Sequence, residues 1–319
     1  MEKHYQLKIA MLYASWEAFG EPWSTPQGVR TEFGVRGHEV MQYNLYHNEG
    51  ALLPKRNIRT YSNEGINQLL GDVRSEAFVP DVVFCMDYGP WDAIQFDKKY
   101  FPNSVIVKEC GDEPQAHRQH FQAAPRTHLM LSPDWPSVER YLQFGFNAEY
   151  WGHHADHKIF YPMDDVDVAF DCVTTCGPRG NGLTQQVEKS LGGRFNNERY
   201  FFGLDHARRL NMGHIVFQCS QWKEVTRRIF EGMACGKMIL TDRLPPHTRI
   251  DTMFEEGVDI VYYDDAKDAI DKINYFSSHP EERDEIALNG YNKVMKDHTV
   301  TSRVEQFERA VNDIFEQIS

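Results

Sequence analysis

The chain has 319 residues, 41% of them hydrophobic and 13% aromatic, enough for one large or two ordinary domains with packed cores. No apolar run reaches eighteen residues, which argues against a membrane-spanning helix. The net charge of −13 argues against broad affinity for nucleic acid or anionic membrane, while leaving room for a local basic cleft.

Met1–Tyr5 lead straight into the strand-like run Leu7–Tyr13, with no secretory leader expected. The cysteines at 85, 110, 172, 176, 219 and 235 are scattered, several inside apolar runs, and Cys172 and Cys176 lack the spacing of a zinc knuckle. Both features point to a reducing cytoplasm.

A strand over Lys8–Tyr13 precedes a long loop, a helix from about Gly28 to Arg36 and a strand near Glu39–Tyr43. A helix near Ile66–Val73 and strands at Val82–Met86, Ser104–Lys108 and Thr127–Leu131 come next, then a helix over Pro136–Phe144. This alternation predicts a mostly parallel sheet with helices on both faces. The pattern pauses between Tyr150 and Pro162 and restarts at Val168–Thr174. Further strands are predicted at Tyr200–Phe202, His214–Cys219, Lys237–Thr241 and Asp259–Tyr263, with helices near Ala266–Ser277, Glu281–Met295 and Ser302–Ile318. The expected architecture is α/β, with two Rossmann-like doubly wound domains facing a cleft. They span residues 1–160 and 161–319 and join near 155–166; the last helix is free to pack back on the first. In such sheets ligands bind beyond the carboxyl ends of the strands.

In the second domain the apolar strand His214–Cys219 is followed by the loop Ser220–Val225, with Thr226 as the expected N-cap of the next helix. Ile229, Phe230, Met233 and Ala234 form its apolar face, and Arg227 and Glu231, four apart, share the opposite one. Gly232 and Ala234 allow close packing on the sheet, and Gly236 suits the helix stop. A helix N-terminus with Arg227 or Arg228 beside it makes a pyrophosphate site. Glu231, one turn in, is placed for ribose hydroxyls. The alternative is that Arg227 and Glu231 form a plain surface ion pair. The strand Val168–Thr174 runs into the glycine-rich Thr175–Gly182, with Gly177 near the turn and Arg179 at its tip; this is a second phosphate candidate or an ordinary turn.

Phe230–Lys237, read as Phe-Glu-Gly-Met-Ala-Cys-Gly-Lys, resembles the Phe/Leu-Glu-Ala-Met-Ala-Cys-Gly core of family-4-type glycosyltransferases with the GT-B fold. The Arg227-x-x-Phe230-Glu231 form is more similar to the branch named after the spore maturation protein CgeB. Three stretches agree with that branch: Asp167–Phe170 through Arg179, Ser132–Asp134 through Tyr141 and Gly145, and Asp156 through Phe160 and Pro162. The resemblance implies a nucleotide-sugar donor, expected to be a UDP-sugar, held mainly by the second domain. It implies an acceptor held mainly by the first, and transfer with retention, without a metal or other cofactor. It places Glu231 on the donor ribose and Arg179 with Arg227 or Arg228 near the diphosphate. The family's first glutamate falls eight residues before Glu231, where Lys223 stands with Glu224 beside it, so both join the donor-binding candidates.

In the first domain the loop Ser15–Gly28 is long, aromatic and acidic, which suits Trp16, Glu17 and Trp23 for an acceptor ring and its hydroxyls. Asp87 and Tyr88, after the third strand, are further acceptor candidates. Asp112 and Glu113 fall where related enzymes carry a polar residue at the reacting centre; Asp112 alternatively caps a helix starting near Pro114. His153, His154, Asp156 and His157 suit no single helix face, which favours interdomain packing or phosphate contact over a metal site. The expected function is transfer of a hexosyl or pentosyl group to a hydroxyl on a glycan or on a hydroxymethylated base in DNA. A catalytically silent nucleotide-sugar sensor or assembly subunit is the alternative.

Overall fold

The computed structural model of the protein describes residues 6–13, 25–44, 64–86, 97–175, 182–198 and 203–318. The chain divides into two units, Met1–Gly152 with Arg303–Ser319, and His153–Ser302.

The first unit carries β1 (Lys8–Tyr13), β2 (Glu39–Asn44), β3 (Val82–Met86), β4 (Val105–Glu109), β5 (Leu129–Ser132) and β6 (Ala148–Tyr150). They form one sheet in the order β2-β1-β3-β4-β5-β6, with every neighbouring pair parallel. Helices α1 (Thr25–Val35), α2 (Glu64–Arg74), α3 (His117–Ala123) and α4 (Trp135–Gln143) lie between them in the chain. All five residues of β3 are buried, as a strand covered on both faces requires. Such strands read as continuous apolar runs, which is why they are legible in sequence.

The second unit carries β7 (Phe170–Thr174), α5 (Leu183–Leu191), β8 (Phe195–Asn197), α6 (Gly203–Asn211), β9 (Gly213–Gln218), α7 (Arg227–Ala234) and β10 (Met238–Asp242). Then follow α8 (Ile250–Met253), β11 (Val261–Tyr263), α9 (Ala266–Ser278), α10 (Pro280–Asp297) and α11 (Val300–Ile318). This sheet is also parallel, in the order β11-β10-β9-β7-β8. Each unit places its first strand between its second and third, so the winding reverses beside β1 in one and β7 in the other. At such a reversal the connections leave in opposite directions and open a crevice beyond the carboxyl ends of the strands.

Several elements depart from the sequence expectation. The strand expected at Tyr200–Phe202 lies outside the described residues. The edge strand β8 has three residues, with only Phe195 buried, too short for a periodicity signal. Helices α5 and α6 were not anticipated; α6 buries Gly203, Ala207, Leu210 and Asn211 under an otherwise polar sequence. No helix starts at Pro114. Residues 111–116 turn, α3 begins at His117, and its cap residue Ala116 offers no side-chain hydrogen bond.

Helix α11 belongs to both units by sequence, and its residues from Arg303 onward cluster with the first. Val304, Phe307, Val311 and Ile314 form its buried stripe at three- and four-residue spacing. Phe307 packs edge-on to Phe33 at 5.0 Å and tilted against Phe84 at 4.6 Å between ring centroids. One turn of polar contacts surrounds it. Arg36 grips Glu308 through Nε and Nη2, each at 2.7 Å, His38 Nε2 lies 2.8 Å from the same carboxylate, and Arg303 Nε donates to the Gly152 carbonyl at 3.0 Å.

Helix α7 is held from three sides. At its end Gly236 takes φ +69°, its N–H donates to Met233 O at 2.8 Å, and Lys237 N–H donates to Gly232 O at 3.1 Å. This is a Schellman closure, which needs a residue free of Cβ strain at that position. Underneath, a Cβ on Gly232 would lie 2.5 Å from Ile239 Cδ1 and 3.2 Å from Val216, so the helix sits directly on β9 and β10. On the outside, a Cβ on Gly290 of α10 would lie 2.7 Å from the Asp259 backbone oxygen and 3.3 Å from Met233 Cγ. The backbone oxygen cannot swing aside. Gly290→Ala is therefore expected to destabilise the second unit by about 1–3 kcal/mol despite alanine's higher helix propensity. Chemical denaturation monitored by circular dichroism checks this; an unchanged or raised midpoint would mean that α10 shifts without cost.

Candidate functional site

The second unit brings a group of polar side chains to the reversal beside β7. Thr175 follows the last residue of β7, and α7 starts after the loop that leaves β9, the neighbouring strand. Parallel topology thus sets the α7 N-terminus at the carboxyl edge, where its first-turn amides carry partial positive charge. Thr226 occupies the cap position with extended backbone (φ −111°, ψ 153°), but its hydroxyl makes no cap hydrogen bond. That oxygen is buried without a partner, contrary to the expected side-chain cap.

Arg228 Nε donates to Thr175 Oγ1 at 2.9 Å. The same Oγ1 lies 3.1 Å from His206 Nε2, a residue supplied by α6. The other ring nitrogen, Nδ1, faces Glu231 Oε2 at 3.8 Å. Glu231 is only 4% exposed, so the surface ion pair with Arg227 does not describe it, and it does not sit on an exposed face opposite the apolar one. The physical reason is the sheet: with Gly232 touching β9 and β10, the rest of α7 from Ile229 to Ala234 is buried along with it. Burial holds the His206 pKa below its ordinary value, with Glu231 pulling it up and Arg228 pushing it down. Phe160 closes one side of the imidazole, edge-on at 5.5 Å. Arg227 and Arg228 are both half-buried, but it is Arg228 that reaches the end of β7.

The β9–α7 loop is pinned by Asp242, the last residue of β10. Its carboxylate accepts from Ser220 N–H at 2.8 Å, from Ser220 Oγ at 2.6 Å and from Lys223 Nζ at 2.8 Å. Lys223 takes φ +56°, a left-handed conformation that residues bearing a Cβ seldom adopt, and the clamp on Asp242 helps to sustain it. Glu224 accepts from the Trp222 N–H at 2.5 Å, which leaves the indole of Trp222 half exposed. Lys223 and Glu224 therefore hold the loop's shape, Lys223 through the Asp242 carboxylate and Glu224 by accepting from the Trp222 N–H.

In the first unit Asp112 and Glu113 follow β4 but point to different environments. Asp112 is exposed and left-handed, with φ +53°, which removes it from capping α3. Glu113 is buried: it accepts from Tyr141 OH at 2.6 Å and from Ser132 Oγ, and lies 3.2 Å from His117 Nδ1. Burial pushes its carboxyl up, but the hydrogen bonds from His117, Ser132 and Tyr141 outweigh it and leave the pKa below the ordinary value. A carboxylate so enclosed braces the loop after β4, whereas Asp112 is exposed. Nearby His120, buried beside Lys108, has its pKa pushed down to about 3, chiefly by desolvation.

Gly177, Arg179, Trp16, Glu17, Trp23, Asp87 and Tyr88 lie outside the described residues. Among the described residues no group of three or more His, Cys, Asp or Glu side chains is arranged to hold a metal. Thr175, His206 and Asp242 join this group of side chains although sequence reasoning did not single them out. Only Asp242 carried a usable signal, as a carboxylate ending a buried strand.

Two parallel doubly wound units of this topology are the GT-B architecture. Residues 173–309 match a family model described as glycosyl transferase-like, a span that contains Thr175, His206, Arg228, Glu231 and Asp242. No curated protein matches the chain. Among solved structures, sucrose-phosphate synthase from Thermosynechococcus elongatus is similar with a TM-score of 0.64 at 11% identity, over 98% of this chain and 100% of that one. HepE of Anabaena in complex with UDP-glucose is similar with a TM-score of 0.63 at 12% identity, over 97% and 100%. An α-glucosyltransferase in complex with UDP and a 13-mer DNA containing an HMU base gives a TM-score of 0.63 at 11% identity, over 97% and 100%. These are likenesses of fold.

Proposed function

We propose that the protein is a glycosyltransferase that moves a hexosyl or pentosyl group from a UDP-sugar to a hydroxyl acceptor, with retention at the anomeric carbon. The observation that carries this reading is the Arg228–Thr175–His206–Glu231 group at the carboxyl edge beside β7. Its chemistry is that of a nucleoside diphosphate site. Breaking the sugar–phosphate bond leaves negative charge on the departing diphosphate. The Arg228 guanidinium and the α7 N-terminus stand ready to stabilise that charge as it develops, without calling on a divalent ion. Glu231 offers a fixed acceptor for ribose hydroxyls one turn further along. Arg179 is a second cation for the diphosphate, and Asp112 is the candidate for contact with the donor sugar or acceptor hydroxyl. Trp16, Glu17, Trp23, Asp87 and Tyr88 are the candidates for the acceptor. The Arg227-to-Glu231 motif supports placement in the CgeB-like branch.

The acceptor is a glycan hydroxyl or the hydroxymethyl group of a modified base in DNA. The solved α-glucosyltransferase bound to HMU-containing DNA supports the second, whereas the net charge of −13 weighs against any extended nucleic-acid surface. Mass spectrometry of both acceptor classes after incubation with the preferred donor decides between them. A mass gain of one sugar on hydroxymethylated DNA alone assigns the DNA acceptor, and a gain on glycans alone removes it.

The donor reading is tested by a panel of sugar nucleotides with nucleoside diphosphate release as the signal. Glu231→Ala is expected to weaken the preferred donor by about 10–100-fold, the loss of one or two hydrogen bonds to a charged acceptor. Equal turnover by the folded variant would remove Glu231 from the donor site. A second reading, a silent nucleotide-sugar sensor, is favoured by Lys223, whose amine is tied to Asp242 where the family resemblance places an acid. Donor binding without release of nucleoside diphosphate on any acceptor would establish it.

A further inference from the structure

We infer that His206 is a positioning residue that couples the two halves of the donor site, setting Glu231 for the ribose on one side and Arg228 for the diphosphate on the other. This inference rests on the nucleotide-sugar reading of that site.

Arg228 Nε always carries hydrogen, so the 2.9 Å contact with Thr175 is Arg228 donating to Oγ1. His206 Nδ1 faces a carboxylate oxygen at 3.8 Å, beyond hydrogen-bond range, and the negative charge there favours the tautomer with its hydrogen on Nδ1. A neutral ring then has a lone pair on Nε2, and the Thr175 hydroxyl donates its own hydrogen to it across 3.1 Å. The result is one polarity from end to end: Arg228 to Thr175, Thr175 to His206, His206 toward Glu231. Burial of the imidazole favours the neutral ring that this order requires. The arrangement also explains why α6, a short polar helix with few apolar residues, delivers a histidine to this point: Phe160 fixes the ring plane from the side, leaving both nitrogens aimed along the chain of contacts.

Among the described residues Arg228 spends only its Nε, on Thr175, which leaves its terminal nitrogens for a phosphate. Glu231 sits too far from Nδ1 for a hydrogen bond, so its carboxylate is biased by the imidazole edge but not consumed. A ribose diol that draws Glu231 toward itself leaves the histidine link in place.

The two ring nitrogens can be separated by substitution. The amide of His206→Asn reaches the Nδ1 position, and that of His206→Gln reaches the Nε2 position. The measurement is calorimetric binding of whichever of UDP, ADP and GDP the wild type holds best, with its 2′-deoxy form and its nucleoside. His206→Asn should keep the preference for ribose over deoxyribose and lose about tenfold of the preference for diphosphate over nucleoside. His206→Gln should do the reverse. Variants that keep both preferences, or lose both alike, overturn the inference and leave the donor site standing. A wild type that binds none of the three diphosphates overturns the functional reading, and the inference with it. Thermal melting of each variant identifies a fold defect, and two folded variants with opposite losses cannot arise from a merely structural histidine.

Discussion

Arg228→Ala is expected to lower kcat/KM for the sugar nucleotide by about 10²–10³-fold, the usual loss when one preorganised donor to a developing anion is removed. The guanidinium is half-buried at the carboxyl edge of the sheet, and Nε is anchored on Thr175 at 2.9 Å. Its orientation is therefore set before substrate arrives, and no ordering cost falls on the reaction itself. Arg228→Lys should recover little of this, because an ammonium keeps the charge but lacks the planar fork whose Nε holds Thr175 while separate terminal nitrogens reach a phosphate. The measurement is steady-state release of nucleoside diphosphate, with Arg227→Ala as the companion. A large loss on Arg227→Ala and a small one on Arg228→Ala would move the diphosphate to the neighbouring arginine.

Glu308→Ala is expected to destabilise the first unit by about 1–3 kcal/mol, because it takes the shared carboxylate from Arg36 and His38 at the foot of α11 and leaves Arg36 only its partly exposed pairing with Glu305. Burial pushes the Glu308 carboxyl up, but His38 and Arg36 outweigh burial and hold its pKa at about 2, against an ordinary 4.5. A carboxyl depressed in the folded state stabilises above its unfolded pKa and stops doing so as pH falls toward its folded one. The wild type should therefore lose about 3 kcal/mol of first-unit stability between about pH 5 and pH 2, and Glu308→Gln should lose less over that window. Tryptophan fluorescence in urea reads this unit selectively, since Trp16, Trp23, Trp91, Trp135 and Trp151 belong to it and only Trp222 to the other. Parallel acid profiles for wild type and Glu308→Gln would show that the carboxylate is not what fastens the helix.

Arg228 and Glu231 are visible in the linear sequence because a short helix between two buried parallel strands has few ways to be written. Apolar positions must face the sheet, a glycine must end the helix, and what remains polar at its start is available for chemistry. The buried strands β3 and β10 and the long helices α9 to α11 are legible for the same reason: burial over a whole element leaves a continuous or periodic apolar pattern.

What sequence by itself determined is the alternating α/β plan, the helix carrying Arg228 and Glu231, and the glycines that seat it. What only the tertiary structure decided is who meets whom. Choosing Arg228 over Arg227 depended on the position of Thr175, a residue 53 positions away. Burying Glu231 depended on how closely Gly232 approaches β9 and β10. Recruiting His206 depended on α6, whose polar sequence gives no sign of the site it serves. Pairing Lys223 with Asp242 joins residues 19 positions apart. In each case the deciding quantity is a distance between residues far apart in the chain, set by strand order and close packing, and no local pattern of residue types encodes it.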